Sequence, residues 1–369
     1  SFDMLGEAAR TMRQADNYFN AYMNAIDEVG KLNLIKNLNN GVSIKISALH
    51  PRYEMRKFKD LESELIPRLI ELVHYAHSKD VEITIDAEEQ DRLTLSLNII
   101  EKLALDKVIK NWTGFGIALQ AYGKRSINVI HWINKILDKR EKMHLRLVKG
   151  AYWDYEIKHA QVLGYEDYPV YSKKSLTDIS FLLCAKEILK NEKIYAKFAT
   201  HNAHTISSVH QLGRGKDYEF QRLYGMGELL YQSAEKVLNL EKKPSVYAPI
   251  GSYKDLLPYL VRRLLENGAN SSFINRLLDP ETDANWLAEN PAIRIEKEKI
   301  DIPLPKNIFT ERKNSSGFDL SENSNLENLE KNISAHKNNK INAESIYVDR
   351  DEKEKVRQKV YSVANNEEI

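Results

Sequence analysis

The sequence predicts an α/β chain folded as a TIM-type (β/α)8 barrel. Three observations carry that reading: eight short apolar runs of period two, helix-period runs between them, and a polar phase near the C-terminal ends of the runs. With 369 residues, 42% of them hydrophobic, the chain is long enough to bury one sizeable core.

The first run, Phe2 to Leu5, is cut short by the start of the chain. Val42 to Ser47 and Glu82 to Asp86 alternate apolar and polar residues at every step, as a strand covered on one face requires. Gly114 to Gln120, His144 to Lys149, Tyr195 to Thr200, Tyr218 to Leu223 and Ser245 to Ile250 complete the set of eight. Helical patterns lie between them, such as Leu61 to Ser78 and Lys173 to Lys190, and Tyr253 to Gly268 closes the series. Strands alternating with helices imply βαβ units, and eight of them favour a closed barrel over an open sheet. The alternation runs to about residue 276, so residues 1–300 are assigned to the barrel. From residue 301 to 369 the chain reads as a linker or poorly ordered tail, because apolar periodicity gives way to Asn, Ser, Lys and Glu across Thr310 to Glu344. Val348 to Val363 reads as a short charged helix with a thin apolar stripe.

Composition narrows the function classes. A net charge of +1 gives no footprint for nucleic acid or an anionic membrane, so small-molecule partners are expected. The single cysteine, Cys184, excludes an internal disulfide and lies in an apolar helical run, where it reads as core filler in a reducing, cytoplasmic compartment. No stretch of about 18 apolar residues occurs, and Ser1-Phe2-Asp3 lacks the features of a signal peptide. Gly114-Phe115-Gly116 and Gly225-Met226-Gly227 lack the third glycine of a dinucleotide fingerprint, and no phosphate-binding P-loop is present. His201 and His204 are three apart without a third ligand at a recognisable spacing, so no metal site is expected.

Each barrel strand divides into two faces. Ile44, Ile46, Ile83, Ile85, Phe115, Ile117, Leu119, Leu145 and Leu147 take the helix-facing phase, and the opposite phase carries Lys45, Asp86, Gln120 and Arg146. Just past the Tyr195 to Thr200 strand, His201 shares a phase with Lys197 and Ala199. Charges directed into a barrel are costly unless paired or used, and the C-terminal mouth is where barrel enzymes place their chemistry. A purely structural ion-pair network is the bland alternative. On the last helix, Tyr259, Arg262, Arg263 and Glu266 share one face, opposite Leu257, Leu260, Val261, Leu264 and Leu265. Adjacent arginines beside a tyrosine suit capture of a carboxylate, against the plainer reading of a solvated face with an Arg262 to Glu266 pair. From these residues alone, a barrel lyase forming a Schiff base on Lys45 or Lys149 and a non-catalytic binding barrel stand beside an oxidoreductase.

Longer blocks resolve the choice. Ser43 through Tyr53 (SIKISALHPRY), Ile85-Asp86-Ala87-Glu88-Glu89 and Leu145 through Asp154 (LRLVKGAYWD) resemble the proline dehydrogenase domain of the bifunctional bacterial proline utilization A family. So do Ala199-Thr200-His201-Asn202, Tyr247-Ala248-Pro249-Ile250-Gly251 and Tyr259 through Asn270 (YLVRRLLENGAN), and the resemblance covers residue 1 to about 321. It implies a distorted (β/α)8 barrel with its final helix over the mouth. It also implies a flavoprotein oxidoreductase that takes L-proline to pyrroline-5-carboxylate, by hydride transfer to N5 of FAD, in proline catabolism toward glutamate.

By the same resemblance, the catalytic group would be Arg146, Lys45, Asp86 and Tyr152. Lys45, Arg262 and Arg263 would bind the proline carboxylate, Tyr152, Leu223, Tyr247 and Tyr259 would enclose the ring, and Asp86 and Ala151 would line the pocket. Glu7 would pair with Arg262 as a gate. Arg146 would lie against flavin N5, and Asp86, Ala87, Gln120, Val148, Lys149, Gly150, Ala151, Trp153, Thr200, His201, Asn202, Glu266 and Phe273 would contact other parts of FAD. The resemblance also implies a membrane quinone as electron acceptor, with peripheral attachment at the inner membrane when reduced. Asn307 through Ser321 resembles the linker toward an aldehyde dehydrogenase domain, which this chain does not contain; no nucleic acid is expected to bind through it.

Overall fold

A computed structural model describes residues 1–36, 38–251, 256–257, 259–262, 285, 288–297, 302–337 and 359–368. Alternation governs the chain from its start. β1 (Phe2–Met4) leads to α1 (Met12–Lys36), β2 (Gly41–Ile44) to α2 (Phe58–Ser78), and β3 (Glu82–Ile85) to α3 (Leu93–Ala104). β4 (Phe115–Gln120) leads to α4 (Ser126–Leu137), and β5 (Met143–Val148) to two helices, α5 (Trp153–Leu163) and α6 (Lys174–Ile188). β6 (Ile194–Ala199) leads to α7 (Ala203–Leu212), β7 (Tyr218–Leu223) to α8 (Glu228–Leu238), and β8 (Ser245–Ile250) to helical residues at 256–257 and 259–262. The eight strands pair in sequence order, all parallel, and β1 pairs with β8 to close the barrel.

Register explains why one phase of every strand is apolar. Ile44 pairs with Ile85, Ile85 with Ile117, Ile117 with Leu145, and Leu147 with Phe198, so these side chains form continuous rows beneath the helices. All are essentially excluded from solvent. Each contributes about 1.5–3 kcal/mol of apolar burial, the main term holding helices to barrel. Cys184 lies buried in α6 among Phe181, Ala185 and Ile188.

Two sequence expectations are corrected at their ends, and a third lies partly outside the described residues. The second strand stops at Ile44, because Ile46–Ala48 forms a 3-10 turn that carries the chain across the mouth. Of the closing helix expected over Tyr253 to Gly268, residues 256–257 and 259–262 are helical, and Arg263 and Glu266 lie outside the described residues, as does Phe273. The charged helix expected over Val348 to Val363 is not helical at 359–363, where Tyr361 instead bridges to Glu368; 348–358 lie outside the described residues.

Two compact units divide the chain, Ser1–Glu322 and Asn323–Ile369. Within the first, the polar segment 302–322 is bound to the barrel. Ile302 packs on the cluster of Tyr122, Ile157, Ala160, Tyr168 and Val170, and Tyr168 donates to the Pro303 carbonyl at 2.7 Å. Asn314 donates to the Gln161 carbonyl at 2.8 Å, and Arg125 pairs with Glu322. Gly317 is obligatory in this strap, since a Cβ there would lie 2.1 Å from the Leu163 carbonyl oxygen. The second unit contains the helix α10 (Asn323–His336), which follows α9 (Pro291–Lys297) of the first.

Candidate active site at the carboxyl-terminal mouth

The barrel interior is polar along its whole length, and the groups sort into two layers. Toward the amino-terminal end, Lys197 pairs with Glu82 at 2.6 Å and lies 3.9 Å from Glu219, whose Oε1 accepts from Ser245 at 2.8 Å. This layer is a closed ion-pair plug. Toward the carboxyl-terminal end, Arg146 on β5 donates to Asp86 at 2.9 Å and to Ser43 at 3.1 Å. Lys45 donates to Asp3 at 2.5 Å and lies 3.3 Å from Asp86. Tyr247 donates to Asp86 at 3.0 Å, with its ring 4.4 Å beneath the Arg146 guanidinium. Five strands thus deliver five ionisable groups to one point, because Asp3, Lys45, Asp86, Arg146 and Tyr247 all occupy interior positions at or near strand ends.

Electrostatics fix the protonation states. Although burial opposes it, the Asp3 and Asp86 carboxylates hold the Lys45 ammonium well above its ordinary range. Burial, reinforced by Asp3 and Asp86, pushes the Tyr247 phenol well above its ordinary range, so it stays a donor. Burial likewise raises Asp3 against the pull of Lys45. A lysine held charged is a poor imine-forming nucleophile, which removes the physical ground for a Schiff base on Lys45. Lys149 is ion-paired with Asp178, whose carboxyl, despite burial, is held low by Lys149 and Lys174.

Around this centre the other described residues of the expected set fall at strand ends, on the loops that follow the strands, or among the helical residues 259–262. Glu7 and Arg262 form a two-pronged ion pair at 2.6 and 3.0 Å, and the Arg262 guanidinium lies 5.3 Å over the Tyr152 ring. Tyr152 is the N-cap of α5, with its phenol raised first by burial and then by Glu7. Tyr259 is buried and Leu223 ends β7. Gln120 uses both ends of its amide on backbone, donating to the Glu88 carbonyl at 2.7 Å and accepting the Ala151 N–H at 3.2 Å. Gly150 takes φ +136°, and a Cβ there would lie 2.5 Å from the Tyr122 ring, so only glycine allows the chain to turn from Val148 and Lys149 into Ala151. Trp153 donates to the Tyr171 carbonyl at 2.9 Å. Thr200, His201 and Asn202 follow β6: His201 accepts the Leu223 N–H at 3.1 Å, and Asn202 caps α7 by accepting the Thr205 N–H at 2.9 Å. Ala87 lies between Asp86 and Glu88 in the loop after β3. Arg263, Glu266 and Phe273 lie outside the described residues.

Sequence reasoning missed Asp3, Ser43, Thr84 and His144. All are buried, Thr84 meets His144 at 2.9 Å and Arg146 at 3.4 Å, and Ser43 receives two Arg146 nitrogens. The signal was present, since each of the last three shares the interior phase with the charged residue two positions on. Arg146 Nε is buried without a hydrogen-bond partner among the described residues. A cationic donor of this kind, beside the Tyr247 ring, fits a planar ring system that carries hydrogen-bond acceptors.

Comparison with known proteins gives consistent findings. A family model described as proline dehydrogenase matches residues 1–276. The bifunctional protein PutA of Klebsiella aerogenes is 44% identical over 355 residues, covering 90% of this chain and 27% of that protein. Proline dehydrogenase 1, mitochondrial, of Caenorhabditis elegans is 27% identical over 266 residues, covering 66% of this chain and 41% of that protein. Among solved structures, a mutant proline utilization A of Bradyrhizobium japonicum matches with a TM-score of 0.86 at 43% identity, over 91% of this chain and 35% of that one. Proline utilization A of Bdellovibrio bacteriovorus, described as inactivated by N-propargylglycine, matches with a TM-score of 0.81 at 27% identity, over 91% of this chain and 36% of that one. The chain spans about a quarter of the length of the bifunctional curated relatives it matches.

Proposed function

Because the chain belongs to the proline dehydrogenase family, we propose that it oxidises L-proline to pyrroline-5-carboxylate at the carboxyl-terminal mouth of its barrel, with FAD as its cofactor. This is the first step of proline breakdown toward glutamate. The observation that carries the proposal is the convergence of Lys45, Asp86, Arg146 and Tyr247 on one buried point, together with the Glu7–Arg262 pair that joins the loop after β1 to the helical residues 259–262.

Proline oxidation removes a hydride from the ring carbon next to nitrogen and a proton from the amine, leaving a carbon–nitrogen double bond. When bound, FAD supplies the hydride acceptor at N5. Lys45, Arg262 and Arg263 bind the substrate carboxylate, and Tyr152, Leu223, Tyr247 and Tyr259 enclose the ring, with Asp86 and Ala151 completing the pocket. Anchoring one end of a rigid ring fixes which face its reacting carbon presents, converting binding into orientation. The Glu7–Arg262 pair is partly open to solvent, whereas the Lys45–Asp3 pair is largely buried. An incoming carboxylate therefore competes with Glu7 for Arg262, and the pair acts as the gate.

Arg146, Gln120, Lys149, Trp153, Thr200, His201 and Asn202 would hold the flavin, together with Ala87, Val148, Gly150, Glu266 and Phe273. Arg146 keeps a buried positive charge where negative charge accumulates. Lys45, held in its ammonium form, cannot take the amine proton, so that proton leaves to water at the mouth. Beyond the chain, the resemblance supports a membrane quinone as final acceptor and a fused aldehyde dehydrogenase as partner. Among the described residues no helix is long and apolar enough to cross a membrane.

The reaction is tested by incubating the FAD-loaded protein with L-proline and an artificial electron acceptor, and trapping pyrroline with o-aminobenzaldehyde. The yellow adduct should form in step with acceptor reduction. Acceptor reduction without adduct, or neither, contradicts the assignment.

A further inference from the structure

Four of the loops at the barrel mouth, with the last residue of β4 among them, are joined in order by one chain of hydrogen bonds, and each link lies within two residues of a site residue. Ala8 and Ala9, which follow Glu7, donate their N–H groups to the Ser47 hydroxyl and carbonyl, both at 2.9 Å. Ser47, two residues past Lys45, donates its own N–H to Glu88 Oε1 at 3.1 Å. Glu88, two residues past Asp86, accepts Gln120 Nε2 on its carbonyl at 2.7 Å, and Gln120 accepts the N–H of Ala151, the neighbour of Tyr152, at 3.2 Å.

Glu88 is the centre of this belt. Its side chain is 4% exposed, and its second carboxylate oxygen accepts Arg92 at 2.9 Å. The reason a carboxylate is needed follows from the 3-10 turn Ile46–Ala48. Its first N–H groups have no partner inside the turn, and Lys45 at the N-cap position makes no side-chain cap. Glu88 supplies the missing acceptor from the next loop, so the turn that aims Lys45 is completed by the loop that aims Asp86. Arg92, with its guanidinium 5.7 Å over the Tyr53 ring, holds that carboxylate in place through its ion pair.

We infer that Glu88 is a positioning residue for substrate binding: it sets the spacing between Lys45 and Asp86 without touching the substrate. The inference rests on the proline dehydrogenase reading of the mouth, because Lys45 and Asp86 matter there as substrate-binding groups. It assigns a function to a buried carboxylate outside the predicted binding set.

The test compares the parent with Glu88→Gln, which keeps an acceptor for Ser47, and Glu88→Ala, which removes it, all loaded with FAD. The Michaelis constant for proline should rise about threefold in the glutamine variant and about tenfold or more in the alanine variant, while kcat falls less. Amide hydrogen exchange at Ala8, Ala9 and Ser47 should accelerate in Glu88→Ala, with exchange in β5 to β7 unchanged. A merely structural role would lower the melting temperature and leave the Michaelis constant alone. If Glu88→Ala does not fold, an unchanged Michaelis constant in Glu88→Gln overturns the inference, as does a Glu88→Ala value within about twofold of the parent. A parent that proline does not reduce defeats the functional reading and this inference with it; an active parent with unshifted variants defeats the inference only.

Discussion

Lys45 shows how a residue can be indispensable to both folding and chemistry. Its ammonium lies between Asp3 and Asp86 in a largely buried site, so removing it strands two carboxylates that have little access to water. Lys45→Met should therefore destabilise the protein by about 3–5 kcal/mol in a denaturant titration, the usual cost of breaking a buried pair from one side. A loss under about 1 kcal/mol would mean the carboxylates reach solvent. Arg146 tests chemistry more directly. Arg146→Met should slow flavin reduction by proline about a hundredfold in stopped flow, with a smaller change in proline affinity. Equal reduction rates would remove Arg146 from the reacting centre. Lys45, Asp86 and Arg146 were legible from sequence because a charge in the interior phase of a strand is anomalous. Ser43, Thr84 and His144 share that phase but carry no fixed charge, and Asp3 lies in a strand too short to show alternation, so the partners stayed hidden while the charges stood out.

At the scale of elements, the strands were legible because burial on one face imposes period two, and helix α6 because the apolar run from Phe181 to Ala185, followed by Ile188, fills its second half. α5 was not singled out. Its buried positions are Ile157 and Ala160 together with an acid, Glu156, and a carboxyl in the core face breaks the apolar pattern. Glu156 joins α5 to the loop after β3 by accepting the Gln90 N–H at 2.7 Å. Burial, with Asp91 and Glu89 nearby, pushes this carboxyl from 4.5 up to about 8. A raised carboxyl favours the folded chain while it is neutral, so the contribution is complete below pH 4.5 and is lost as pH rises through about 8. The melting temperature should fall between those limits, and Glu156→Gln should flatten the fall by a few degrees. An identical profile in the variant would show that Glu156 does not titrate there. The 3-10 turn after Ile44 escaped the sequence reading for a different reason, since Ile46 and Ser47 continue the alternation that the backbone abandons.

For the whole molecule, closure of the barrel followed from the count of alternating units, but the binding of segment 302–322 did not. That segment is held by backbone carbonyls, single side chains and Ile302 against an aromatic cluster, none of which leaves a periodic trace. Compared with a chain ending at residue 322, one ending at residue 300 should melt several degrees lower, because Tyr122, Ile157 and Tyr168 lose their cover. Equal melting temperatures would show that the strap adds nothing. The same segment lies against α5, whose N-cap is Tyr152 and whose first residue is Trp153. The central claim is that this mouth holds proline against a flavin, and anaerobic mixing of the FAD-loaded protein with L-proline tests it most directly. The oxidised flavin absorption band should bleach as proline is added, to completion with excess substrate. A protein that stays yellow under saturating proline, or that takes up no FAD at all, would contradict the account.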